Sequence, residues 1–307
     1  MDAAVVILRW VQMAGAMILF GSSLFCLYAL PRTDGGSEIA LQWPKRLLIS
    51  SAGAVLIACI LGFLAQTAVL AGSVQDALQP DALTAAATGM SFGKSSIVRA
   101  AIAGLSVIGL VFAKPGRGTL GLATLAGGVL CASFAWMGHG AATEGAAGLL
   151  HTVADIVHAL AAGVWIGALV AFFLLLRPRA PSAELDRVVH GALHGFSGIG
   201  SALVAVLIVS GLVNSWFLVG LSGVSELWTT PYGELLSLKL AVFVGMLGLA
   251  AANRFRLTPA LGAATGERDS SAALAALRRS LILETALAFL VVGLVAWLGT
   301  LEPLSAQ

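Results

Sequence analysis

MGHGAATEGAAGLLHTVADIVHALAAGVWIGAL, residues 137–169, is the stretch on which the reading of this chain turns. Its second half is apolar enough to cross a bilayer, yet the run carries His139, His151, Asp155 and His158. Ionisable groups are costly inside a membrane span, so each one is by default a functional-site hypothesis. Here four potential metal ligands gather at one end of one hydrophobic hairpin.

The rest of the chain makes that hairpin one part of a larger membrane array. The sequence is 59% hydrophobic and only 10% charged, where a soluble domain carries about 25% charged residues. Its mean hydropathy is +0.96. Eight apolar runs stand out, at about 4–30, 47–71, 96–113, 118–137, 149–176, 196–220, 236–254 and 279–299. Each is near the roughly 20 residues that cross about 30 Å of hydrocarbon as a helix. Their hydrophobicity is continuous, whereas a barrel strand alternates. A helix also satisfies its own backbone in lipid. The expected fold is all-α, a polytopic membrane bundle of about eight transmembrane helices forming a single integral-membrane domain over 1–307. The first run has no basic leader and contains Arg9, so it is expected to be a retained span rather than a signal peptide. The stretches near 31–46, 72–95 and 255–278 are rich in Gly, Ala, Ser, Asp and Pro and read as connectors.

Loop charge gives an orientation. After spans one, three, five and seven come Arg32, Lys45 and Arg46; Lys114 and Arg117; Arg177, Arg179 and Arg187; and Arg254, Arg256, Arg268, Arg278 and Arg279. After spans two, four and six come Lys94 and otherwise Asp76, Asp81, Glu144, Glu226 and Glu234. Lys and Arg accumulate on the cytoplasmic side, so both termini are expected outside. His139 and His151 then belong at the outer surface, His158 deeper from that side, and His190 and His194 at the inner surface. The net charge of +2 is mostly this asymmetry and gives no reason to propose nucleic-acid binding.

On a helix, His151 and His158 are seven apart and share a face, with Asp155 between them. The short loop before them is expected to bring His139 and Met137 near His151. Imidazole binds copper, zinc, iron and nickel, and a thioether adds a preference for Cu(I). A carboxylate such as Asp155 commonly orients a ligating imidazole. Plainer readings stand beside this one. A membrane histidine is often an interhelical hydrogen-bond partner, and Asp155 could pair with Arg9 or Arg99. Met13 and Met17 are four apart on the first span, a spacing that suits packing better than ligation. Cys26, Cys59 and Cys131 lie singly within spans and read as buried hydrophobes. His190 and His194 read as a solvated pair, with an exit site as the minority alternative. Arg9, Arg99 and Lys239 near outer helix ends are expected to snorkel. Asn253 and Glu284 also lie in the last spans. Glu284, about one and a half turns inside the cytoplasmic end, is within snorkelling reach. Asn214 has the better claim to an interhelical role, and Trp165 reads as packing.

These residues together resemble the CopD family of bacterial inner-membrane copper-resistance and copper-homeostasis proteins, most strongly over 134–307. The resemblance rests on Gly138-His139; on Asp155, His158, Trp165 and Gly167; on Phe196-Ser197; on Ser210 through Asn214; on Thr230-Pro231-Tyr232-Gly233 with Lys239; and on Asn253 and Glu284. No single piece is specific, but their order across eight spans is. The N-terminal third matches only in general pattern. The resemblance implies a multi-pass protein of the inner (plasma) membrane that moves copper, usually inward, and a periplasmic copper-binding partner of the CopC type. The leading expectation is a copper transporter and not an enzyme, with Met137, His139, His151, Asp155 and His158 as the metal-binding set and membrane lipid around it. No phosphate-cradling G-x-x-x-x-G-K-[ST] loop is present for ATP-driven pumping. The runner-up is a haem b electron-transfer protein with paired histidine ligands. A third reading is a structural or regulatory subunit with no ligand.

Overall fold

The computed structural model describes residues 2–29, 43–137, 145–176, 183–263 and 270–306. Among them no strand occurs. The helices are α1 (Asp2–Ala29), α2 (Trp43–Ala71), α3 (Val74–Ala77), α4 (Pro80–Gly89), α5 (Ser91–Phe112), α6 (Arg117–Ser133), α7 (Gly145–Leu175), α8 (Ala183–Leu218), α9 (Pro231–Ala252), α10 (Thr258–Ala263) and α11 (Ser270–Leu298). Eight of these segments are long and apolar enough to cross a membrane, matching the eight apolar runs. Both ends of the chain reach the same end of the bundle, since Asp2 and Leu301 line one cavity.

The surface fits a lipid environment. Leu105, Ile108, Phe112, Leu122, Val209 and Leu212 are all exposed, an apolar surface that in water would be an aggregation liability. Trp136, Trp216, Trp228 and Trp297 are exposed as well. They fall at the ends of α6, α8 and α11 and just before α9, all at the end of the bundle that carries the termini. Tryptophan concentrates at membrane–water interfaces, where its ring is half apolar and its N–H stays hydrated.

Helix α1 is the hub, packing against α2, α6, α7 and α11. Small residues allow this. A Cβ on Gly21 would collide with the Gly163 carbonyl, and one on Gly167 would collide with the Gly21 backbone. Gly163-x-x-x-Gly167 is thus a small-residue seam of the kind that lets membrane helices approach closely. The Ser22 hydroxyl donates to the Gly167 carbonyl across it at 3.0 Å.

Local sequence sets the helix starts. Thr230 caps α9, its hydroxyl accepting from the Gly233 N–H, with Pro231 in the first turn. Gly233 leaves room for the Glu226 and Leu227 backbone. The connector expected over 72–95 is partly helical: Ser73 caps α3, and Pro80 opens α4. Lys94 therefore sits in the first turn of α5, not in a loop. Beyond α9 the chain does not break. It continues through a π-helical turn, Asn253–Leu257, into α10.

Two cavities open at opposite ends. One of about 840 Å³ lies at the end carrying the termini, between α1, α2, α5 and the end of α11. The other, of about 560 Å³, lies between α7, α8, the π-helical turn, α10 and α11.

Candidate functional site

Helices α7 and α8 run antiparallel, and their facing side chains pair rung by rung. His151 stacks on Phe217, with ring centroids 4.7 Å apart and planes 11° apart. Asp155 Oδ1 accepts from Asn214 Nδ2 at 2.7 Å. His158 Nδ1 meets Ser210 Oγ at 2.9 Å. Seven residues inward along α7, from His151 to His158, are matched by seven back along α8, from Phe217 to Ser210. The expected face of His151, Asp155 and His158 is therefore turned onto α8. His151, in the second turn of α7, is 1% exposed. It is closed in against Phe217, whose ring covers it.

The surroundings of Ser210 favour one His158 tautomer. Ser210 Oγ lies 2.6 Å from the Val206 carbonyl, to which it can donate its single hydrogen, and the Leu207 carbonyl also faces the ring. With the hydroxyl so engaged, Nδ1 is the donor and Nε2 keeps its lone pair. A ring nitrogen whose tautomer is set by its partner in this way is ready to ligate. The group engaging His158 Nδ1 is Ser210 rather than Asp155. Gly211 leaves space for the ring: a Cβ there would come 3.4 Å from His158 Cε1.

The third wall is α9. Lys239 lies within coulombic reach of both Asp155 and His158, and Tyr232 within reach of Asp155. Lys239 thus faces the polar stripe instead of snorkelling to an interface. Arg99 does not snorkel either. It is 1% exposed, donates to the Ser133 hydroxyl and carbonyl at 2.8 and 2.9 Å, and lies over the Phe134 ring. Arg9 donates to the Gly299 carbonyl at 3.1 Å. Asp155 instead faces Asn214, Tyr232 and Lys239.

Deeper along α7, Trp165 Nε1 donates to Glu284 Oε1 at 2.9 Å. Asn253 Nδ2 donates to Glu284 Oε2 at 2.7 Å. This joins α7, the π-helical turn and α11 at one buried carboxylate, 2% exposed.

His139 lies outside the described residues, and Met137 is described only as the last residue of a 3₁₀ turn, Phe134–Met137. His190 and His194 belong to α8, but their side chains lie outside the description. Met13 and Met17 are buried in the core around α1, as are Cys26, Cys59 and Cys131. Among the described residues no three His, Cys, Asp or Glu side chains converge. The sequence reading missed Ser210 and Phe217 as partners and placed Lys239 wrongly. A signal was present: Ser210 and Asn214 are four apart on a span, and so share one face.

Comparison with known proteins places the chain. The family described as "Copper resistance protein D-like, N-terminal domain" matches residues 1–149, and "Copper resistance protein D" matches residues 190–298. The N-terminal part therefore matches as well, beyond general pattern. Most of α7, with its histidines and Asp155, falls between the two matches. Copper resistance protein D of Pseudomonas syringae pv. tomato is 36% identical, over 98% of this chain and 97% of that protein. Copper transport protein CutJ of Bacillus subtilis (strain 168) is 31% identical over 77% of this chain, which covers 43% of that longer protein. Inner membrane protein YebZ of Escherichia coli (strain K12) is 28% identical over 55% of each. No solved structure matches. With two family matches and a relative aligned along nearly its whole length, the chain belongs to the copper resistance protein D family of multi-pass membrane proteins.

Proposed function

We propose that this protein carries copper across the bacterial inner membrane, inward from the periplasmic face, along the α7–α8 seam. The observation that carries the reading is the state of His158. Its Nδ1 is paired with Ser210, which also faces the Val206 carbonyl, an arrangement that leaves Nε2 available as a metal donor within the bundle. The names of two relatives, a copper resistance protein and a copper transport protein, supply the metal. The loop charge bias supplies the orientation, with both termini on the periplasmic side, and the family resemblance supplies the inward direction.

In this reading a periplasmic copper-binding chaperone of the CopC type delivers the ion near Met137 and His139. His151 then swings from Phe217 to admit it, and Asp155 and His158 take it into the bundle. Few ligands at any one point suit transit. A pathway needs binding firm enough to load and loose enough to leave. The haem b alternative draws no support, because the two histidines described at this seam lie on one helix face and are turned onto Phe217 and Ser210.

The test is bound copper and copper uptake measured on the same proteoliposome preparations. His158→Ala should lose uptake and lower affinity by about ten- to a hundred-fold. Ser210→Ala, which frees the tautomer, should do the same in weaker form. Wild-type uptake in both variants would reduce the seam to packing.

A further inference from the structure

Trp165 lies seven residues beyond His158, so it falls on the same face of α7, about 10 Å further along. The polar stripe therefore continues past His158. Its next ionisable group comes from another helix: Glu284 of α11, tied to Trp165 and Asn253. Both of these donors are neutral. An ionised carboxylate in an apolar interior needs a compensating cation as well as hydrogen bonds. Each carboxylate oxygen also retains accepting capacity after its one hydrogen bond.

A second oxygen waits beside it. Asn253 Oδ1 is buried and has no hydrogen-bond partner among the described residues, although nearly all buried polar atoms in proteins find one. Asn253 opens the π-helical turn, and such turns recur at functional sites. Glu284, Asn253 and Trp165 all line the cavity of about 560 Å³ at the end of the bundle remote from the termini. The charged residue facing that cavity from the π-helical turn is Arg254, exposed and set over the Phe255 ring at 5.3 Å. The described lining residues from α8, including Ser201 and Phe196, carry no charge. On α7 the nearest ionisable group is His158 itself.

We propose that Glu284 and Asn253 Oδ1 form a second cation station, through which copper leaves His158 for the inner cavity. This rests on the copper reading above and extends it inward. Imidazole is a better copper donor than carboxylate or amide oxygen. The order nitrogen, then oxygen, then cavity thus runs from firm to loose binding, which favours release. The ion changes ligands without any change of oxidation state.

The experiment compares Glu284→Gln, Glu284→Asp and His158→Ala in proteoliposomes, reading equilibrium copper binding, uptake rate and thermal stability in detergent. Glu284→Gln should slow uptake by about tenfold or more while the His158 site keeps its affinity and the protein its stability. Glu284→Asp should restore part of the rate, because the charge remains. Wild-type uptake in Glu284→Gln would overturn the station. So would binding and stability falling together in both Glu284 variants, which would make the network a girder between helices. If His158→Ala alone behaves as wild type, the His158 reading fails while the Glu284 result still stands or falls by itself.

Discussion

A metal donor inside a membrane must be held in one protonation state by neighbours that are themselves fixed. His158 is held by a hydroxyl that has no second hydrogen to offer. Asp155 is held differently, between the Asn214 amide and the Lys239 ammonium on the far wall. Lys239 is within electrostatic reach of both Asp155 and His158, so its charge opposes a cation beside them. Removing that charge should help the metal compete. Lys239→Gln is expected to raise copper affinity by about tenfold, the equivalent of roughly 1.4 kcal/mol, and to slow release. Titration of bound copper beside uptake kinetics would show it. Unchanged affinity would mean that Lys239 serves Asp155 only as a structural partner.

At the scale of the helix, the site depends on where α7 is pinned. One face of α7 carries the polar stripe, and another carries Gly163 and Gly167 against Gly21 of α1. Gly167→Val is expected to force that contact apart, costing about 1–3 kcal/mol as an overpacked interface. A lowered midpoint in a detergent thermal scan, with copper binding reduced, would mark the seam as what sets the stripe. Much of this helix was legible in advance. Continuous apolar runs located all eight spans, because length and hydrophobicity are read directly against the bilayer, although α8 and α11 begin well before the runs at 196 and 279, at Ala183 and Ser270. The spacing of His151, Asp155 and His158 gave their common face. What opposed that face was not legible, since helix neighbours depend on which small residues meet. Sequence alone therefore could not show that Phe217 covers His151, or that Lys239 turns inward. The short helices between α2 and α5 were missed for a different reason: Ser73 and Pro80 cap and start helices as readily as they mark loops.

The whole molecule divides its polar burden between two halves. The C-terminal half gathers two histidines and an aspartate on one face of α7, with a lysine from α9 and a glutamate from α11. The N-terminal half, α1 to α6, buries two guanidiniums. Arg9 and Arg99 line the same cavity of about 840 Å³, where their charges repel one another. Asp2, exposed, is the one acidic residue among its described lining.

An energised membrane pulls on every cation outside it, by about 2.3 kcal/mol per charge for each 100 mV. Fixed positive charge is a recurrent way to keep such ions out of an opening. Arg9 and Arg99 place two positive groups in this hollow, which disfavours cation entry there. Replacing Arg9 by Gln should raise passive proton entry into proteoliposomes held at an inside-negative potential, with copper uptake little changed. If that leak stays at the wild-type level, the apolar packing beneath the cavity is already sufficient insulation.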